Sequence, residues 1–298
     1  RIVSHKNGTM KFVTCSRWAE MQQTVDYHSQ MAAMLRSPTY FRLLNDPGRV
    51  AGPQTFNIAD KEDGMIDQDL AVAQTVMMNA QPIGVTPLAQ HIHEIRVNIQ
   101  GIQSQLQGAK IAIVLATDGL PTDQRGESSS VVRSQFVNAL RSLEGLPVWI
   151  VVRLCTDEED VVEFWNNLDS QLELSLEVLD DFCAEAEEIY GCNKWLNYGL
   201  PLHRMREMGF YSKLFDLLDE RRLSKDEVSD FCKILLGSGP MDESPDPEVD
   251  WKGFCEVVSR LLSKEKLQWN PVSKRMEPWI DMKKLNREYG NRRMFGLF

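Results

Sequence analysis

Two short apolar runs decide the fold: Ile111-Ala112-Ile113-Val114-Leu115-Ala116 and Val148-Trp149-Ile150-Val151-Val152-Arg153-Leu154. Each is too short for a buried helix and lacks the alternation of a half-exposed strand, so each reads as a strand covered on both faces. A helical pattern over residues 129–143 lies between them. A second helical pattern, residues 158–168, follows and leads to a weaker strand at 174–179. Buried strands separated by helices specify a mostly parallel sheet with helices on each side, the doubly wound, Rossmann-like α/β architecture. Such sheets bind ligands beyond the carboxyl ends of their strands, which directs attention to the loops after Val85 and Ala116.

Upstream, Trp18, Met21, Val25, His28, Ala32 and Leu35 recur at helical spacing behind Ser16, a hydroxyl suited to the N-cap, and Pro38 closes the helix. Residues 40–44 and 55–58 read as short strands, the first ending in the turn cluster Asn45-Asp46-Pro47-Gly48. Residues 67–79 are helical. Thr86 and Pro87 then open a helix running to about residue 106, with Thr86 as cap and proline in the first turn.

Strand patterns vanish after about Cys192. Helical segments at 202–208, 212–219, 225–236 and 251–262 predict an all-helical C-terminal region, and the boundary is expected at the Tyr198-Gly199-Leu200-Pro201 break. The expected domains are therefore residues 1–198 and 199–298. From Lys264 to Phe298 the tail is basic and aromatic, with Trp269 and Trp279 beside prolines. Basic residues with aromatics can read RNA, but the whole chain carries a formal charge of -10, with 33 Lys and Arg against 43 Asp and Glu. That balance offers no general attraction to nucleic acid, so the tail is expected to pack on an acidic surface of its own fold or of a neighbour.

The 298 residues are 43% hydrophobic and 26% charged, which is enough apolar material for real cores and matches an ordinary globular protein. No apolar run is long enough to span a bilayer, and the first residues lack the apolar core of a secretory signal. Six scattered cysteines without a C-x-x-C pair suggest neither a disulfide framework nor a zinc ribbon; a reducing, cytoplasmic location is expected. His91 and His93 stand two apart on a helix and so point to different faces, which is not a metal-pair spacing. Neither a phosphate-cradling glycine loop, a nucleophile elbow nor a zinc-protease helix motif occurs, and an enzyme is not expected.

The segment Ala116-Thr117-Asp118-Gly119-Leu120-Pro121-Thr122-Asp123, directly after a buried strand, resembles the Thr-Asp-Gly turn of von Willebrand factor A domains. Gly84-Val85-Thr86-Pro87-Leu88 is similar to the loop in which that family presents a threonine hydroxyl. The resemblance covers about residues 1–192 and includes the helix order and the acidic stretch from Thr156 to Asp160. It implies a metal-ion-dependent adhesion site in which Thr86 and Asp118 contribute to holding Mg²⁺. These are hard oxygen donors, which suit a cation that keeps several waters. Gly84 and Gly119 are expected to let the two loops approach.

One element of the family pattern is missing: no Asp-x-Ser-x-Ser triplet precedes the helix at Ser16. Either that first strand was removed from this chain, which the opening Arg1 favours, or the domain has lost its site. The resemblance implies a non-enzymatic interaction or scaffold subunit within a larger assembly, binding a protein partner that presents a carboxylate. An accessory subunit of an ATP-driven or metal-inserting enzyme is the alternative, and an ATPase among its partners would distinguish it.

The C-terminal region is faintly like a degenerate EF-hand pair. With Gly253 at loop position 12, Asp242, Ser244, Asp246 and Asp250 fall at positions 1, 3, 5 and 9. Gly253 has no carboxylate, however, and Pro247 takes the glycine position. With Glu227 at position 12, Leu218 and Arg221 spoil the loop. Calcium binding is therefore not expected; the alternatives are a generic helical bundle and a degenerate helix-loop-helix pair used as a scaffold.

Overall fold

A computed structural model describes residues 2–6, 9–13, 15–60, 63–156, 158–168, 171–179 and 181–290. The chain divides into two units, Arg1–Leu179 and Asp180–Phe298.

The first unit opens with an antiparallel pair, β1 (Ile2–Lys6) and β2 (Thr9–Val13). Helix α1 (Arg17–Leu35) starts at Ser16, whose hydroxyl accepts from the Ala19 amide at 3.1 Å, and stops at Arg36 in a left-handed conformation. The Ser37 amide returns to the Ala32 carbonyl at 3.0 Å, using an orphan acceptor of the last turn before Pro38. β3 (Thr39–Arg42) and β4 (Thr55–Ile58) form a second antiparallel pair, covered by α2 (Ile66–Asn79). Phe41 stacks on Phe56, and Ile58, Ala73 and Val76 bury against Ala32 of α1.

α3 (Leu88–Ile102) then leads to β5 (Ile111–Thr117), α4 (Ser130–Arg141), β6 (Val148–Leu154), α5 (Glu159–Asn166) and β7 (Leu176–Leu179). β5, β6 and β7 make a three-stranded parallel sheet in chain order. Ile150 and Val152 face a core shared with Leu88, Ile92, Phe136 and Trp165, so α3, α4 and α5 contribute to one apolar cluster. Phe136 of α4 meets Trp165 of α5 edge-on, ring centroids 5.4 Å apart. Alternation turns Arg153 away from that cluster, and there it donates to Glu20 of α1 at 2.7 Å.

The mixed α/β class and the parallel order are as expected; the extent of the sheet is not. β6 is buried on both sides, with Ile150, Val151 and Val152 fully covered. β5 is not. Ile113, Leu115 and Thr117 are buried, whereas Ala112 is exposed and Val114 and Ala116 are half-buried. Its composition suggested a central strand, but among the described residues it pairs with β6 alone and ends the sheet.

The second unit begins with α6 (Phe182–Cys192), whose Ala186 and Ile189 are buried with Trp195, Leu196 and Tyr198 in the core of this unit. α7 (Leu200–Glu207), α8 (Lys213–Glu220), α9 (Lys225–Leu236), α10 (Ser238–Met241) and α11 (Trp251–Leu262) follow. Phe215, Phe231 and Phe254 fill the centre. α9 starts at a reciprocal cap: Ser224 accepts from the Glu227 amide, and Glu227 accepts from the Ser224 amide. Buried Asn193 joins α8 to α9, donating to the carbonyls of Leu218 and Arg221 and accepting from the Leu223 amide.

An all-helical region was expected here, yet the tail contains an antiparallel pair, β8 (Gln268–Asn270) and β9 (Arg275–Glu277), before α12 (Met282–Tyr289). Three-residue strands are too short to show a period, which is why the pattern was silent. Trp279, Leu285 and Tyr289 are buried in the unit's own core, so the aromatic tail packs inward as far as Tyr289. Phe295 and Phe298 lie outside the described residues.

The sequence reading set the boundary at 198/199, while the compact unit begins at Asp180. The two divisions predict different fragments. A fragment of residues 180–298 should unfold in one cooperative thermal transition followed by circular dichroism. Residues 199–298, deprived of Trp195, Leu196 and Tyr198, should unfold without one.

Candidate functional site

The carboxyl end of β5 gathers loops from several elements of the first unit. Asn45, after β3, clamps the loop before α3: its side-chain amide donates to the Val85 carbonyl at 2.8 Å and accepts from the Val85 amide at 3.3 Å. Gly84 is required for this approach. Its φ is +116°, and a Cβ there would stand 2.4 Å from the Asn45 side chain. Gly119 has no such role; its φ is not positive and a Cβ would meet nothing. The expectation that both glycines admit the loops is corrected to Gly84 alone.

Thr86 also differs from expectation. It is not the helix cap: α3 starts after Pro87 with no side-chain cap bond. Pro87 stands at the cap position and has no side-chain acceptor to offer the first-turn amides. Instead the Thr86 backbone is locked across to the loop after β5. Its amide donates to Thr122 Oγ1 at 2.7 Å, and its carbonyl accepts from the Thr122 amide at 2.9 Å. The structure thus brings the Thr86 loop onto the segment that carries Asp118, four residues before Thr122.

That segment is anchored from below. Trp165 Nε1 donates to the Gly119 carbonyl at 3.2 Å, and the Gly119 amide donates to Thr117 Oγ1 at 3.3 Å. Asp123 turns the following loop, accepting from the amides of Arg125 and Glu127. Those amide bonds, the Glu127 one foremost, hold its carboxyl below the ordinary range. Asp118 itself projects outward, with its side chain 59% exposed.

The charge facing Asp118 belongs to the chain. Arg17, the first residue of α1, lies 3.6 Å from Asp118 Oδ2 and donates to Glu158 Oε1 at 3.0 Å. Hydrogen bonding to Glu158 leads the effects that hold the guanidinium above its already high pKa. All three side chains are well exposed, so the pairs are screened and contribute little to stability. Arg17, Asn45, Thr122 and Trp165 were not foreseen. Each acts across a long sequence separation, and nothing beside it in sequence announces the partner.

Thr86 and Asp118 fit Mg²⁺ in kind, as hard oxygen donors on neighbouring loops, but two donors leave most of an octahedral shell to water or a partner. Among the described residues no group of three or more His, Cys, Asp or Glu side chains converges on a point. Asp242, Asp246 and Asp250, the acids of the EF-hand-like stretch, lie in and beside the loop between α10 and α11. There Asp246 and Asp250 accept from the amides of Glu248 and Gly253. His91 is buried and its Nε2 lies 2.9 Å from the Leu44 carbonyl, while His93 is exposed. No helix of the described residues is long and apolar enough to cross a membrane. No protein-family model matches the chain, and comparison with curated proteins finds no match.

The Thr86–Thr122 lock has a direct readout. Thr122→Val removes the acceptor for the Thr86 amide while keeping side-chain volume, so hydrogen exchange at that amide should accelerate by tenfold or more, about 1–3 kcal/mol of local stabilisation lost. Exchange in the β6 amides should not change.

Proposed function

We propose that this chain is a non-enzymatic interaction subunit whose first unit is a von Willebrand factor A-like, doubly wound domain that docks a protein partner on the carboxyl end of β5. The observation that carries the reading is the lock between the Thr86 loop and the segment bearing Asp118. It ties the loop of the half-buried Thr86 to the segment that carries the exposed Asp118, at the edge where open α/β sheets bind ligands. Preorganised loops lower the ordering cost of association, so a modest number of polar contacts there can bind selectively.

Mg²⁺ bound to Thr86 and Asp118 would supply a positive charge for a carboxylate on the partner. The chain's own residues do the positioning. Thr122 and Asn45 fix the Thr86 loop, Trp165 supports the Gly119 turn, and Arg17 competes for Asp118. Electrostatic contacts of this exposure mainly set specificity and association rate, and they weaken with salt.

Capture by the immobilised 298-residue chain tests the reading, with the captured partner purified and its affinity measured. Asp118→Asn and Thr86→Ala should each weaken that affinity about tenfold or more in the presence of Mg²⁺. A chelator should reproduce the loss on the wild type and add little to either variant, because groups acting through one ion are not additive. Arg17→Gln should strengthen the Mg²⁺ dependence. An affinity indifferent to both substitutions and to chelation would move the binding surface elsewhere.

A further inference from the structure

β5 ends its sheet without the devices that usually guard an edge. Ile111–Thr117 holds no charged residue and no proline, and its pairing with β6 runs without a bulge. The Ile111 amide donates to the Pro147 carbonyl and the Thr117 carbonyl accepts from the Cys155 amide, both at 2.9 Å, so residues 111, 113, 115 and 117 turn their main chain to β6. By alternation Ala112, Val114 and Ala116 turn theirs the other way. Among the described residues nothing bonds those amides and carbonyls. β3 has a similar edge. The Leu43 amide donates to the Gln54 carbonyl across the pair, which leaves the main chain of Tyr40 and Arg42 facing away from β4.

Two helices reach both edges from opposite faces. On the face of β5 that carries Ile113 and Leu115, α3 buries Leu88 and Ile92 against them, while its Glu94 pairs with Arg42 of β3 and its His91 meets the Leu44 carbonyl. On the other face, α1 reaches Arg153 of β6 through Glu20 and buries Ala32 with Phe56 and Ile58 of β4. β3 and β5 thus share their covering helices without pairing to each other. Their carboxyl ends are tied through one loop, by Asn45 to Val85 and by Thr86 to Thr122.

We propose that the open edge of β5, facing β3 between α1 and α3, is a docking site for one extended, uncharged apolar strand of a partner chain. An array of alternating main-chain donors and acceptors is matched by another extended backbone, and strand addition is a recurrent mode of peptide recognition. Coverage by a helix on each face calls for apolar side chains on both sides of the added strand and excludes charge. The chain's own β1 and β2 do not meet that requirement: they pair with each other, and their segments contain His5, Lys6 and Lys11. The tied strand ends preorganise the edge, which lowers the ordering cost of the added strand. This surface runs along the strand and is distinct from the Thr86 and Asp118 loops at its end.

The test is amide hydrogen exchange of the full chain, read by nuclear magnetic resonance with and without a synthetic peptide of valine, isoleucine and alanine, matched to β5 in length, amidated, and bearing lysines only at its ends. A chelator is present throughout, so the outcome does not depend on a cation at Asp118. The peptide should slow exchange at Ala112, Val114 and Ala116 by about tenfold or more and leave the β6 amides as they were. Val114→Pro removes the central outward donor but none of the bonds to β6, so it should weaken that protection while the β6 amides report an intact sheet. Three results would overturn the proposal, each in the wild type alone: slow exchange at Ala112, Val114 and Ala116 in the free monomer, protection that grows with chain concentration in place of peptide, or no protection at saturating peptide.

Discussion

The parallel pairing of β5 with β6, from Ile111 opposite Val148 to Thr117 opposite Leu154, is the constraint on which the first unit depends. With β7 on the other edge it sets β6 between two neighbours, so that Ile150, Val151 and Val152 lose all contact with water. It also fixes where β5 ends. The Cys155 amide donates to the Thr117 carbonyl at 2.9 Å, so the last bond of the ladder lies one residue before Asp118 and aims that carboxylate out of the sheet.

Everything at the strand end is then a matter of what is brought to a fixed point. Asn45 and Thr122 hold the Thr86 loop by hydrogen bonds to its main chain, which have defined direction, whereas Arg17, Asp118 and Glu158 meet through exposed charges, which do not. The geometry is therefore rigid where backbone is involved and adjustable where charge is involved. A partner carboxylate or a cation can compete for these side chains without disturbing the core, because surface ion pairs of this kind stabilise by only about 0–1 kcal/mol.

The elements with strong periods were legible in sequence. α1 with its Ser16 cap, α2, α4, β5, β6 and α5 stand where spacing, and for α1 capping chemistry, placed them. The departures have particular causes. β5 has the composition of a central strand but a single neighbour, and composition does not reveal how many strands lie alongside. Thr86 carries a cap-like hydroxyl, yet its main chain is taken by Thr122, a contact between loops 36 residues apart that no local pattern encodes. β8 and β9 are too short for periodicity, and the start of the second unit at α6 follows from Ala186 and Ile189 joining Trp195, a tertiary choice. At the strand end, Thr86 and Asp118 stood out in sequence as candidates through their loops; Arg17 did not, since a first-turn arginine is ordinary until its acceptors are seen.

The two units depend on different chemistry. The first exposes its charges at a strand end, where solvent screens them and partners can reach them; the second encloses its charges, where they act on one another. The central claim concerns the exposed set, and Mn²⁺ tests it most directly, because it shares the octahedral oxygen preference of Mg²⁺ and broadens nuclear magnetic resonance signals by proximity. Titrated into the labelled chain, Mn²⁺ should first broaden the amides of Val85, Thr86, Asp118 and Gly119, and Asp118→Asn should abolish that pattern. Broadening that begins instead in the acidic loop around Asp242 and Asp246, or that is the same in Asp118→Asn, would contradict the account.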